Sequence, residues 1–210
     1  MTSLNIFGQD PEDRGDRRDQ DFYPTEPQAT HAFAVADRAS ILTHAGHSFL
    51  SIWEPACGDG AMSRVFEDQG YSVHSTDLVD RGYGASGIDF LKTTHSDVGR
   101  MDIGAIITNP PFGDLAAQFI EHAHYLEVPY IALLLKSHYF HTQNRLELRR
   151  RFPLARVYPI GWRLDFTGQG APHMDCSWFI WDTLHPGAHT WYMPTLERPA
   201  DINTRDLFPA

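Results

Sequence analysis

The sequence predicts an α/β fold: a doubly wound, mostly parallel sheet that ends in an antiparallel β-hairpin. Three observations carry that expectation. β-rich runs end in Gly- or Pro-containing loops and lead into helix-compatible stretches, first over residues 49–69 and again over 103–125. Residues 103–108 and 130–135 are mostly apolar without alternation, as in strands covered on both faces. Residues 156–160 and 177–181 are two further β-rich runs with a Gly/Pro loop and no helix between them, which reads as the hairpin.

Each element follows in order. Residues 1–21 are polar, with six acids and three arginines between Asp10 and Asp21, and read as a flexible acidic tail. Residues 28–42 carry Ala, Phe, Val and Ile at helical spacing. A strand over 49–53 runs into Glu54-Pro55-Ala56-Cys57-Gly58-Asp59-Gly60, a helix follows over 61–69, and Gly70 supplies its stop. Residues 71–76 alternate as a strand and close on Asp77. The strand over 103–108 ends in Asn109-Pro110-Pro111-Phe112-Gly113, with Asp114 as N-cap of a helix to Tyr125. From residue 185 Pro and Thr abound and periodicity fades, so the domain spans 22–184 and 185–210 form an extended tail.

Composition narrows the function classes. With 210 residues, 42% hydrophobic and 21% charged, the chain can support one real core. Its longest apolar stretch, residues 130–135, is far below the roughly 20 residues of a membrane span. Two cysteines, Cys57 and Cys176, exclude a disulfide scaffold and a CxxC zinc site, and read as free thiols of a cytoplasmic protein. A net charge of −10 argues against a generic polyanion binder. Only Lys92 and Lys136 are lysines, and five of the arginines (Arg145, Arg149, Arg150, Arg151, Arg156) fall close together. They make either a solvated helix face or one basic patch. No trio of metal ligands stands out, and His122 and His124 point to different faces of their helix.

Two loops carry the chemistry. In open α/β sheets ligands sit beyond the carboxyl ends of the strands. Gly58 and Gly60 allow a tight bend and a close ligand approach there. The loop has neither G-x-G-x-x-G nor Gly-Lys-Ser/Thr, which excludes dinucleotide and triphosphate cradles, and its flanking acids Glu54 and Asp59 favour a ligand with cationic character. Asp77, ending the next strand, is spaced to accept hydrogen bonds from ribose hydroxyls. In the second loop, Pro110 and Pro111 fix two φ angles, so that the Asn109 side chain and the Pro110 carbonyl stand as rigid acceptors for a planar NH₂. Phe112 offers a flat surface for a heterocycle, worth roughly 1–3 kcal/mol per stacked base.

Glu54-Pro-Ala-Cys-Gly-Asp-Gly resembles the S-adenosylmethionine (AdoMet) loop of class I methyltransferases. Asn109-Pro-Pro-Phe resembles the catalytic motif of amino-methyltransferases, above all DNA N6-adenine methyltransferases, and Asp21-Phe-Tyr-Pro-Thr-Glu-Pro resembles the segment ahead of the cofactor loop in phage-type members. The resemblance covers residues 21–182. It implies a single Rossmann-like methyltransferase domain with a mostly parallel seven-stranded sheet, AdoMet as cofactor, and an N6 amine of adenine in DNA as acceptor. By that resemblance Tyr23, Pro24 and Thr25 cover the methionine end of AdoMet. Glu54 reaches its amino group along the loop Pro55, Ala56, Cys57, Gly58 and Gly60. Asp77 and Leu78 hold ribose and adenine, with Asp89 and Phe90 next to the adenine. Asn109, Pro110, Pro111 and Phe112 take the target amine. His138 and Tyr139 would wall the base pocket, and Arg163, in an Arg-Leu-Asp-Phe-Thr-Gly stretch, would touch phosphate or substrate. A duplex acceptor requires a flipped adenine. An RNA base amine or a protein glutamine amide offers the same planar NH₂. A partner subunit that keeps the fold without catalysis is the non-enzymatic alternative, and pairing of two copies would combine two arginine patches.

Overall fold

The two apolar runs that read as fully covered strands form the centre of the sheet. β3 (Ile103–Thr108) and β4 (Tyr130–Lys136) pair in parallel and are buried along nearly their whole length. They belong to a computed structural model that describes residues 23–46, 50–166, 172, 174–185 and 189–199. The polar tail 1–21 and the loop residues Gly168 and Gln169 lie outside the described residues. Beyond β3 lie β1 (Ser51–Glu54) and β2 (Val73–Ser75), both parallel. Beyond β4 come β6 (Cys176–Asp182), β5 (Arg156–Pro159) and β7 (Trp191–Tyr192), giving the seven-strand order β2-β1-β3-β4-β6-β5-β7.

The hairpin is present: β5 and β6 are antiparallel. Its second strand lies inside, between β4 and β5, because β6 is buried at all seven positions while β5 has four residues. Of the described residues after 185, Trp191 and Tyr192 pair in parallel with β5, and Leu196 is buried.

Helices cover both faces. α1 (Pro27–Ala36), α2 (Arg38–Ala45) and α3 (Ala61–Asp68) bury Phe33, Ile41, Met62 and Phe66 against Ile52, Ile107 and Trp178. On the other face α5 (Asp114–Tyr125) and α6 (Leu146–Arg151) bury Phe119, Ile120 and Leu148 against Ile106, Ile131 and Phe179. None of the described helices is long and apolar enough to cross a membrane.

Two local expectations are corrected and one helix is added. The helical pattern over 28–42 is two helices, broken at Asp37, whose carboxylate turns inward to accept from Tyr130, Tyr158 and Arg156. Asp114 is not the N-cap of α5. Gly113 holds that place at φ +82, a left-handed value suited to glycine, and Asp114 begins the helix. A helix absent from the sequence reading, α4 (His95–Arg100), starts in a Thr94/Asp97 capping box and buries no residue, so it has no apolar stripe to betray it.

The arginine cluster also divides. Arg156 is buried and ion-paired with Asp37 at 3.0 Å and Asp182 at 2.9 Å. Arg145, Arg150 and Arg151 stand near Asp114, Glu147 and Glu121. Five neighbours in sequence therefore do not make one basic patch, because β5 carries the last of them into the core.

Candidate functional site

The loops after β1, β2 and β3 converge at the carboxyl end of the parallel strands. Gly58 and Gly60 take φ +57 and +82, so each needs the freedom glycine has. A Cβ on Gly60 would also drive into the Tyr83 ring. Asp77 holds the turn: its Oδ2 accepts from the Gly58 N–H and its Oδ1 from the Val79 N–H, each at 2.8 Å. The carboxylate read as a ribose partner thus already ties two loops together.

Glu54 lies beneath this loop, 3% exposed, and accepts from Ser63 Oγ, which in turn lies 2.6 Å from Ser75 Oγ. Burial pushes its carboxyl well above the usual range, and Asp59 and Asp77 push the same way, against the Ser63 hydrogen bonds. Cys57 is buried as well, and its thiol is pushed up to about 12 by burial first and by Glu54 and Asp77 next. It is a neutral packing group rather than a nucleophile.

The second loop is built around Asn109. Its Nδ2 donates to the Tyr23 carbonyl oxygen and to Thr25 Oγ1, both at 3.1 Å. A carbonyl only accepts, so these bonds set which way the amide faces. Oδ1 is then left buried with no hydrogen-bond partner. An orphaned buried acceptor costs about 1–3 kcal/mol, so it calls for an explanation.

Phe112 is not a bare platform. Tyr23 packs on it at 4.8 Å between ring centroids, Phe166 meets it edge-on at 6.0 Å, and Lys136 Nζ lies 5.5 Å from its centre. The Tyr23–Thr25 strap is itself anchored by Glu26. One Glu26 oxygen accepts from the Asp165 N–H at 2.7 Å, and the other from Trp162 Nε1 and Arg198. Glu26, Trp162 and Arg198 were given no role in the sequence reading. Glu26 stands within the quoted Tyr23-Pro-Thr-Glu-Pro segment, but its partners lie more than 130 residues away.

Both loops and the strap enclose a single cavity of about 600 Å³. Tyr23, Pro24, Thr25, Glu54, Pro55, Ala56, Cys57, Gly58, Asp77, Leu78, Asp89, Phe90 and Asn109 through Phe112 all line it. Gly60 stands behind this wall. Asp89 is held below the usual carboxylate range, mainly by Lys92, and also accepts from the Leu91 N–H. Phe90 is 3% exposed and packs against Trp53 and Phe119, so little of it is open to the cavity. His138 and Tyr139 line a neighbouring cavity of about 340 Å³ that shares the Phe112 wall. Arg163 lines neither: it is exposed and sits 3.3 Å from Asp175, because its loop turns outward after β5. Among the described residues no three His, Cys, Asp or Glu side chains gather as a metal site.

No protein-family model matches the chain, and no curated protein matches it. Solved structures do. A DrdV chain in a DrdV–DNA complex aligns with a TM-score of 0.62 at 12% identity, over 87% of this chain and 28% of that one. A putative class I S-adenosylmethionine-dependent methyltransferase from Listeria monocytogenes aligns at 0.59 and 14%, over 88% and 69%. The methyltransferase subunit of a type I restriction-modification system from Streptococcus thermophilus aligns at 0.57 and 11%, over 83% and 47%. The chain spans under a third of the DrdV chain and about half of the Streptococcus subunit. What these structures share with it is the fold, a mixed α/β sheet, here of seven strands.

Proposed function

We propose that this chain transfers a methyl group from AdoMet to the N6 amine of adenine in DNA. Asn109 Oδ1 carries the reading. It is a buried acceptor without a partner, oriented by two bonds on its own nitrogen, in a turn that opens into the same cavity as the Gly58 loop. A planar exocyclic NH₂ has two donors. Asn109 Oδ1 and the Pro110 carbonyl would accept both, which draws the nitrogen lone pair out of ring conjugation and leaves it to attack.

The residues present fit AdoMet. The cavity of about 600 Å³ lies within the usual range for ligand sites. Asp59 and Asp77 stand at the glycine loop, as a cationic ligand would want, with Glu54 beneath it as a buried polar acceptor. Gly58 and Asp77 would border it, Tyr23 to Thr25 would close over its methionine end, and Leu78, Asp89 and Phe90 would flank its adenine. Bound there, it would supply a methyl group on a positively charged sulfur, a strong electrophile. The chain itself contributes alignment, exclusion of water and acceptors for the amine. The surplus proton leaves through Asn109 or to solvent. DNA as acceptor is supported by fold neighbours solved with DNA or described as restriction-modification subunits. Extruding the adenine from a duplex costs a few kcal/mol.

Transfer of tritiated methyl from AdoMet to pools of DNA, RNA and protein tests this. Label at N6 of DNA adenine, reduced about 10²–10³-fold by Asn109→Ala, is the expected result. Label only in RNA or protein would overturn the acceptor. AdoMet binding with transfer to no pool would make the chain a non-catalytic subunit.

A further inference from the structure

The cavity next to the proposed active site differs from it in charge. It measures about 340 Å³ and is bounded by Phe112 and Asp114 on one side and by Lys136, His138 and Arg145 on the other. Because Phe112 walls both cavities, an occupant of the smaller one lies a single ring away from Asn109's turn. Lys136 and Lys92 are the only lysines in a chain of net charge −10, and Lys92 is spent on Asp89 at 2.9 Å. Lys136 is half-buried, faces the Phe112 ring, and pairs with no carboxylate among the described residues.

Arg145 adds a second cation. Its guanidinium lies over Tyr139 and reaches Asp114 at 3.2 Å and the Gly113 carbonyl at 3.3 Å through one nitrogen, leaving donors to spare among its five. Asp114 is the one acid in this wall, and its side chain is 98% exposed, so water screens it more than it screens Arg145 at 19%. Thr142 and Asn144 add neutral donors to the rim. Two partly desolvated cations against one solvated acid favour an anion rich in acceptor oxygens. A nucleic-acid strand brings one such group with every nucleotide, whereas a glutamine side chain on a peptide brings none.

We infer that the cavity between the Asn109–Phe112 turn and residues 136–145 is a phosphate subsite, in which Lys136 and Arg145 hold a phosphodiester of the acceptor strand while its base enters the larger cavity. The inference deepens the methyltransferase reading, on which it rests for what fills that larger cavity. It also assigns substrate class: Lys136 selects a nucleic acid over an amide on a protein.

Fluorescence anisotropy of a labelled adenine-containing DNA duplex, at several salt concentrations, tests the assignment on the wild type, Lys136→Met and Lys136→Arg. Lys136→Met keeps the packing stem and loses the charge. Its binding should weaken about tenfold at low salt, and the slope of log K against log[salt] should flatten by about 0.9, the value of one phosphate contact. Lys136→Arg should keep both affinity and slope. A Lys136→Met slope equal to the wild type's, with an unchanged melting temperature, would overturn the subsite. So would a glutamine-bearing peptide methylated equally well by wild type and Lys136→Met. A second arm with single-stranded RNA of the same sequence identifies the polymer: the subsite stands if RNA alone shows the effect, and the acceptor becomes RNA. Calorimetry with AdoMet on the same proteins reads the larger cavity separately. AdoMet affinity should match in all three, and a wild type that binds no AdoMet would sink the methyltransferase reading whatever the slopes show.

Discussion

Two buried polar clusters sit at opposite ends of the same sheet and differ in how completely their hydrogen bonds close. At the amino end, Arg156 joins Asp37 and Asp182, Tyr130 and Tyr158 donate to Asp37, and His44 lies 3.0 Å from Asp182. Of this group's fully buried side-chain atoms only Arg156 Nε is without a partner. At the carboxyl end, Asn109 gives both donors of its amide to the strap and keeps its oxygen unpaired. The first cluster consumes its polarity in joining α1, α2, β4, β5 and β6. The second holds an acceptor in reserve. Burial of polar groups does not by itself set the two apart, whereas an oriented and unsatisfied acceptor on a cavity-lining residue does.

The contrast breaks most visibly at Arg156. Replacing it with Met leaves two buried carboxylates without their cation and should cost about 3–5 kcal/mol of stability, read as a lower denaturant midpoint. A loss under 1 kcal/mol would show that this cluster is not what joins the helices to the sheet. Asn109→Ala should behave in the opposite way. It loses two hydrogen bonds but removes an orphaned acceptor, so stability should move by no more than about 1 kcal/mol while methyl transfer falls by the 10²–10³ given above. Equal losses of stability and activity would place Asn109 among the structural groups.

Asp77→Ala sharpens the comparison on the cofactor side. It frees the Gly58 and Val79 amides and should weaken AdoMet binding by about 1–3 kcal/mol in calorimetry. An unchanged affinity would make Asp77 a brace for the loop and nothing more.

The smallest effect expected is in acid. Burial alone would raise the Asp182 carboxyl, but hydrogen bonds from Arg156, His185 and His44 outweigh it and hold it below the usual carboxylate range. A depressed folded value contributes stability that is present above the unfolded value of about 3.9 and is lost as pH falls through the folded one. Denaturant midpoints should therefore drop below about pH 4, and Asp182→Asn should flatten that drop while lowering stability at neutral pH. A drop of equal depth in Asp182→Asn would assign the acid lability to other groups.

Legibility followed the range of the forces involved. β3 and the C-terminal end of α5 fall where the apolar pattern ends, because burial on both faces or along one stripe is written into consecutive residues. The break at Asp37 was hidden, since the groups that draw its carboxylate inward lie 93, 119 and 121 residues away. Arg156 looked like part of a surface run for the same reason. Arg163, given a phosphate or substrate contact by resemblance, stands exposed beside Asp175, a neighbour twelve residues on that its own stretch does not announce. The strap motif was visible, and Glu26, which fastens it, was not assigned.

From the sequence alone came the strand–loop–helix alternation, the glycine-rich turn after β1 and the rigid Asn-Pro-Pro-Phe turn after β3. All are consequences of backbone freedom and side-chain period within a few residues. Only the tertiary structure decided that both turns line one cavity, that the Asn109 amide oxygen is left buried without a partner, and that Lys136 stands across the Phe112 ring. Those facts depend on strand order and on contacts between segments tens of residues apart, and no local pattern encodes the distance between two loops.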